Sequence, residues 1–252
     1  MTLVHPSAVV DRRAELADDV AVGPFAVVEA GVVLGSGCIL HSHAVVRGPT
    51  RLGPGCVVFP FAVVGGEPQA KHHSGGPAGV EAGDANIFRE HATVHGGTDG
   101  RTTTLGRQNL FMVGAHVAHD VAVGSHCVFA NCAQLAGHAV VEDWVTFGGL
   151  SGVAQRVRVG EGAFVAAAAA CERDVPPFVV VQGDRARVRG VNVVGLRRRG
   201  VSEESIVALR RAVRALWSPR SPGGTRAAAL ESLRESGDAY VRQLVAALTA
   251  EP

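Results

Sequence analysis

An apolar side chain, almost always branched, recurs at every sixth residue of the N-terminal quarter: Val4, Val10, Leu16, Val22, Val28, Leu34, Leu40, Val46, Leu52, Val58 and Val64. The phase breaks, then resumes at Leu105, Phe111, Val117, Val123, Phe129, Leu135, Val141, Phe147, Val153, Val159 and Val165. Four residues after many of these stands a small side chain, as at Ala8, Ala14, Ala26, Cys38 and Ala44. A period of six matches neither an amphipathic helix nor an alternating strand. It matches a β-solenoid, in which each hexad is one short strand plus a corner. Chance alignment in a Val-rich chain does not produce twenty-two such positions.

The pattern resembles the hexapeptide repeat of the left-handed parallel β-helix. That resemblance implies three hexads per triangular coil of eighteen residues, with the aliphatics inside and the small residue near each corner. It also implies an exception to the usual right-handed crossover. Residues eighteen apart then lie about 4.8 Å apart, one strand spacing. Sequence spacing becomes a ruler for proximity.

Composition adds constraints. Only 5% of the 252 residues are aromatic, which suits a thin solenoid. Charge is segregated: residues 1–184 carry a net −6 and residues 185–252 a net +7, with nine arginines between Arg185 and Arg214. Such a cluster suggests an anionic ligand or an acidic partner, against the plainer reading of a solvated basic face. Nucleic acid is poorly supported, because no binding motif or interleaved aromatics accompany the arginines. The five cysteines show no CxxC spacing, and Cys38 and Cys56, eighteen apart, are expected to stack as buried thiols. No signal peptide is evident, and the longest apolar run, Ala163 to Cys171, is too short to span a membrane. A soluble, cytoplasmic protein is expected.

Two segments interrupt the hexads, 65–81 and 96–104, both rich in Gly and polar residues. They read as loop excursions from coil corners, where function commonly resides. The repeat decays at Asp174-Val175-Pro176-Pro177, since Pro fits a strand interior poorly. From Ser202 the period becomes helical, with Ile206, Leu209, Val213 and Leu216 on one face and Glu203 and Glu204 in the first turn. Ser218 to Gly224 reads as a breaker, and a second helix is expected to carry Leu230, Leu233, Val241, Leu244 and Leu248. The expected organisation is a solenoid over 1–190 and a C-terminal helical domain over 191–252.

Histidines gather near the excursions: His91, His95, His116, His119, His126 and His138. The ruler selects among them. His119, Gly137 and Gln155 are spaced by eighteen and form one column, with His138 beside Gly137. Asp120 follows His119 directly and can orient its imidazole, as a working general base requires. A lone surface histidine is usually bland; this grouping is not. Two chemistries compete. Zinc could use His116, His119 and His138, as in the gamma-type carbonic anhydrases built on similar solenoids, but their HxxxxH pair is absent here. The other is acyl transfer, with His119 as base and a backbone amide as oxyanion donor.

The segments AHVAHDVAVG (115–124), LAGHAVVEDWVTFGG (135–149), DVPPFVVVQGD (174–184) and GVNVVGLRRRG (190–200) resemble the acyl-carrier-protein–UDP-N-acetylglucosamine O-acyltransferases. The resemblance runs over nearly the whole chain. It implies transfer of a 3-hydroxyacyl chain from acyl carrier protein to the sugar 3-hydroxyl, the first step of lipid A synthesis, by a homotrimer without cofactor or metal. It implies His119 as catalytic base, Asp120 as its partner and Gly137 as oxyanion donor. His116, His138 and Gln155 would line the sugar and acyl pocket, and Asn192, Arg198 and Arg199 would meet the uridine diphosphate. Ala167 would floor the acyl pocket. The basic C-terminal region would receive the carrier protein.

Several positions depart from the family pattern. Ala70 stands where an Asp binds sugar, and His72 where a Lys assists substrate binding; Lys71 is displaced by one. Ala154 replaces a His, and Val194 a nucleotide-contacting Glu. These leave open another acceptor, such as a 3-amino sugar nucleotide. A coenzyme A-dependent sugar N-acyltransferase and a non-catalytic trimeric scaffold are the remaining alternatives.

Overall fold

Each hexad forms a strand of two to four residues followed by a turn, and successive strands lie on three different faces. The computed structural model describes residues 3–76, 79–217 and 225–250. Strands stack in parallel on partners one coil away, Val4 on Val22 and Val10 on Val28. The result is a left-handed parallel β-helix with faces of eleven, nine and eight strands. We number the faces in that order. The first corner joins faces one and two, the second corner faces two and three, and the third corner faces three and one.

The hexad aliphatics fill the interior, where Val22, Val28, Leu34 and Leu40 are at most 2% exposed. Burying such a side chain stabilises by roughly 1.5–3 kcal/mol. Behind the first face Phe88, Phe111, Phe129 and Phe147 stack with centroids 5.2, 4.7 and 4.9 Å apart. The small position sits where the corner leaves no room, so Ala26, Cys38, Ala44 and Cys56 are fully buried. Cys38 and Cys56 are free thiols, as the spacing predicts. Corners also force left-handed backbone on ordinary residues, including Phe25, Asp120, His138 and Trp144.

Both interruptions leave from the second corner, between a strand of face two and one of face three. Across the first, the pairing distance grows from eighteen residues to thirty, Val57 on Ile87. Across the second it is twenty-three, Thr93 on His116. Between them runs a further coil with Ala82, Phe88 and Val94 inside, which the broken phase concealed.

After Val165 the chain makes one more partial turn, and Arg187–Val191 adds antiparallel to Val179–Gln182. Among the described residues four helices follow: α1 (Val193–Arg198), α2 (Glu203–Trp217), α3 (Arg226–Leu233) and α4 (Ala239–Thr249). The first buried helical face is as expected, Ile206, Leu209, Val213 and Leu216. The expected second helix is two, because the chain turns between Arg234 and Asp238, where Asp238 caps α4 by accepting from Val241 N–H at 3.0 Å. The expected breaker at 218–224 lies outside the described residues. Tyr240 meets the buried Phe178 edge-on at 5.3 Å, seating the helices on the last coil. Among the described residues no helix is long and apolar enough to cross a membrane.

Candidate active site

The second corner carries His119, Gly137 and Gln155 in successive coils. The column is held by backbone bonds, His138 N–H to His119 O at 3.0 Å and Arg156 N–H to Gly137 O at 3.1 Å. His119 is 12% exposed at its side chain, and its Nδ1 lies 2.8 Å from Oδ2 of Asp120, itself 4% exposed. Glycine is required beneath the ring, since a Cβ on Gly137 would fall 2.7 Å from His119 Nε2. The Gly137 N–H donates to no group among the described residues. With Nδ1 tied to the carboxylate, Nε2 is the nitrogen left to exchange a proton with a ligand.

Asp120 lies between two imidazoles. His138 stands perpendicular to His119 with centroids 5.2 Å apart, its Nε2 3.6 Å from Asp120 Oδ2. Burial works against the Asp120 charge, but hydrogen bonds from Thr98 and His119 outweigh it and hold the carboxyl below its usual range. Burial pushes His138 and His116 down, towards the neutral form. His95, 8% exposed, is pushed down to about 4 by burial and by the nearby His116 and His119. It meets His116 edge-on at 4.8 Å. The site therefore sets one ionised carboxylate near His95, His116 and His138, three imidazoles that burial holds towards the neutral form.

The zinc trio of His116, His119 and His138 is not what the structure assembles. His116 Nδ1 is paired with Thr93 Oγ1 at 2.8 Å. The donor atoms that come within 4.8 Å of one another belong to His119, Asp120 and His138. Both Asp120 oxygens are already hydrogen-bonded within the protein, to Thr98 and to His119.

From the second corner an open cavity of about 420 Å³ runs over the outer surface of face two, bounded by His116, Ala118, Gln134, Gly152, Ala154 and Ala170. Ala167 is exposed on the first corner, at the far edge of that face. Gln155 is exposed beside Ala154. His72 is exposed on the first excursion, whose base meets that of the second through Gly96 N–H to Gly66 O at 2.9 Å.

The three nucleotide candidates are elsewhere, at the third corner. Asn192 is buried as the cap of α1, accepting from Gly195 N–H at 3.0 Å and donating to Gly162 O at 2.9 Å. Arg199 pairs with Glu161, and its guanidinium lies 5.3 Å from the Trp144 ring centroid. Of the three only Arg198 is exposed. One chain thus unites the dyad, the glycine and the cavity, but not these residues with them. Thr98 and His95 escaped the ruler because the second excursion displaces them from the eighteen-residue column of His119.

The hexapeptide-repeat family of bacterial transferases matches residues 13–48, and the second domain of the UDP-N-acetylglucosamine O-acyltransferases matches residues 174–251. The acyl-[acyl-carrier-protein]–UDP-N-acetylglucosamine O-acyltransferase of Janthinobacterium sp. (strain Marseille) is 46% identical, with 100% of this chain and 98% of that protein aligned. The enzyme of that name from Herminiimonas arsenicoxydans is 42% identical over the same shares. Among solved structures, LpxA from Acinetobacter baumannii superposes with a TM-score of 0.91 at 35% identity, covering 98% of this chain and 96% of its own. Full-length identity at this level, on a shared solenoid and helical cap, places the chain in the acyl-[acyl-carrier-protein]–UDP-N-acetylglucosamine O-acyltransferase family.

Proposed function

We propose that the protein transfers a 3-hydroxyacyl chain from acyl carrier protein to the 3-hydroxyl of UDP-N-acetylglucosamine, the first step of lipid A biosynthesis. The observation that carries the mechanism is the His119 ring, bonded to Asp120 on one side and pressed against the bare Gly137 on the other. Nε2 of His119 takes the sugar hydroxyl proton as the oxygen attacks the thioester carbonyl. Asp120 stabilises the imidazolium that forms. The Gly137 N–H meets the oxyanion of the tetrahedral intermediate, a role worth several kcal/mol in acyl transfer. Collapse expels the carrier thiolate, which recovers its proton from His119. The cavity over face two offers the acyl chain an apolar bed that reaches Ala170, and Ala167 stands beyond that end on the first corner of the same coil.

A homotrimer completes this reading. Arg198 and the third corner cannot reach the dyad of their own chain, whereas a neighbouring copy could bring them to it. The first corner also exposes a ladder of stacked rings, Phe25, His43, Phe61 and His91, spaced 5.0–5.3 Å, suited to burial against another chain. The cytoplasm, where the carrier protein and nucleotide sugar are found, is the expected location. The basic cap, with Arg189, Arg210 and Arg214 along one groove, suits the acidic carrier protein.

Mass spectrometry of products from a panel of UDP-sugars and thioesters tests the reading. O-acylated UDP-N-acetylglucosamine made from carrier-protein thioesters is expected. Transfer from coenzyme A alone, or only to a 3-amino sugar, would replace it with the corresponding alternative. Light scattering at the mass of three chains is expected in solution.

A further inference from the structure

The carboxylate that serves His119 has a rival imidazole nearby, and something must decide between them. Asp120 Oδ2 lies 2.8 Å from His119 Nδ1 and 3.6 Å from His138 Nε2. A modest rotation about the carboxylate torsion would exchange the two partners. Thr98 opposes that rotation at both oxygens. Its backbone N–H donates to Oδ1 at 2.9 Å and its hydroxyl to Oδ2 at 2.7 Å. Two bonds from one residue fix the plane of a carboxylate, where one would leave it a hinge. The main chain of Asp120 is secured separately, its N–H donating to the hydroxyl of Thr103 at 3.0 Å.

Both threonines belong to the second excursion, so the loop grips Asp120 from its two ends. The loop is tight enough to do so. Arg101 N–H bonds back to Thr98 O at 2.9 Å, and a Cβ on Gly97 would fall 2.4 Å from the Arg101 carbonyl carbon, so only glycine passes there. Thr98 is 7% exposed and Thr103 fully buried, which shields the bonds from competing water.

We propose that Thr98 is a positioning residue, whose hydroxyl keeps Asp120 directed at His119 rather than at His138. It touches no reacting atom and acts through Asp120 alone. The inference rests on the acyl-transfer reading above, and the same assay separates the two: if His119→Ala keeps full activity the reading itself fails, whatever Thr98 does.

The test is a double-mutant cycle on the whole protein, with Thr98→Val and Thr98→Ser made in the parent and in Asp120→Ala. Val keeps the shape and the backbone bond and removes only the hydroxyl. Thr98→Val is expected to lower kcat roughly 10-fold, the worth of one hydrogen bond to a charged group, with KM for the nucleotide sugar unchanged within about twofold. Thr98→Ser is expected to restore the parent rate. In the Asp120→Ala background the Val substitution should cost nothing further. Parental kcat in Thr98→Val, equal loss in Thr98→Ser, or the same loss repeated in Asp120→Ala would each overturn the proposal.

Discussion

The ring of His119 rests on Gly137 so closely that a single added carbon on the glycine would sit 2.6 Å from Cε1 and 2.7 Å from Nε2. Gly137→Ala must therefore turn the imidazole away from Asp120 or push the coil apart at this corner. The ring is the softer element. Turnover is expected to fall on the order of 10²-fold, the cost of about 1 Å of misplacement, while the melting temperature changes little. Steady-state kinetics beside a thermal melt checks this, and an active Gly137→Ala would mean the ring position does not matter.

His119→Ala removes the proposed base. General-base catalysis is worth roughly 10²- to 10⁴-fold, so activity should drop by that much in a protein whose circular dichroism is unchanged. A variant retaining most of its activity would remove this residue from the chemistry.

Arg198 and Arg199, adjacent in sequence, should separate in their effects. Arg198 is exposed and free to meet a diphosphate, so Arg198→Ala is expected to weaken UDP-sugar binding in calorimetry and leave the melting temperature alone. Arg199 ties α1 to Glu161, which also accepts from Gln243 of α4 at 2.7 Å. Arg199→Ala should lower stability by about 1–2 kcal/mol, discounted from a fully buried pair because both partners keep some solvent contact. Equal loss of nucleotide affinity in both variants would contradict this division.

Acyl length should respond to Ala167. A methylene in a hydrophobic pocket is worth about 1–3 kcal/mol, so Ala167→Gly should lengthen the preferred chain and Ala167→Met shorten it sharply. Competition between carrier-protein thioesters of graded length reads the change. An identical profile in both variants would place the floor elsewhere.

His95 makes a pH prediction. Its pKa falls from an ordinary 6.5 to about 4 on folding, so the unfolded chain binds the proton more tightly between those values. The folded state is then progressively disfavoured as pH drops from about 6.5 to about 4, by up to ~3 kcal/mol in all. His95→Gln, which does not titrate, should flatten that part of the stability curve in denaturant titrations. A curve unchanged in slope would show that other groups set the acid limit.

Much of this was legible in the sequence because one interval, eighteen residues, governs both packing and proximity. The aliphatics of the hexads, the stacked thiols of Cys38 and Cys56 and the His119–Gly137 column all follow from it. What the interval could not reach lay where extra residues enter. The coil holding Phe88 and Val94 is flanked by both excursions, and Thr98 is linked to Asp120 through a loop of unfamiliar length. Arg199 was hidden for another reason. Charge and family likeness suggest a phosphate partner, while its actual neighbours, Glu161 and Trp144, come from corners far away along the chain.

The hexad positions on either side of both excursions stay paired in parallel, Val63 on Thr93 and Thr93 on His116, with a register shift confined to Gly66 on His95 at the mouth of the first, although twelve and five extra residues have left the coil between partners. Length added at these corners leaves the hexad pairs Val64 on Val94 and Val94 on Val117 in phase. The two loops can therefore diverge, lengthen or be exchanged between relatives while the barrel of coils stays the same object. Mutation can rework what this chain recognises and how it holds its dyad at separate tempos from the scaffold, with the stability of one largely insulated from experiments in the other.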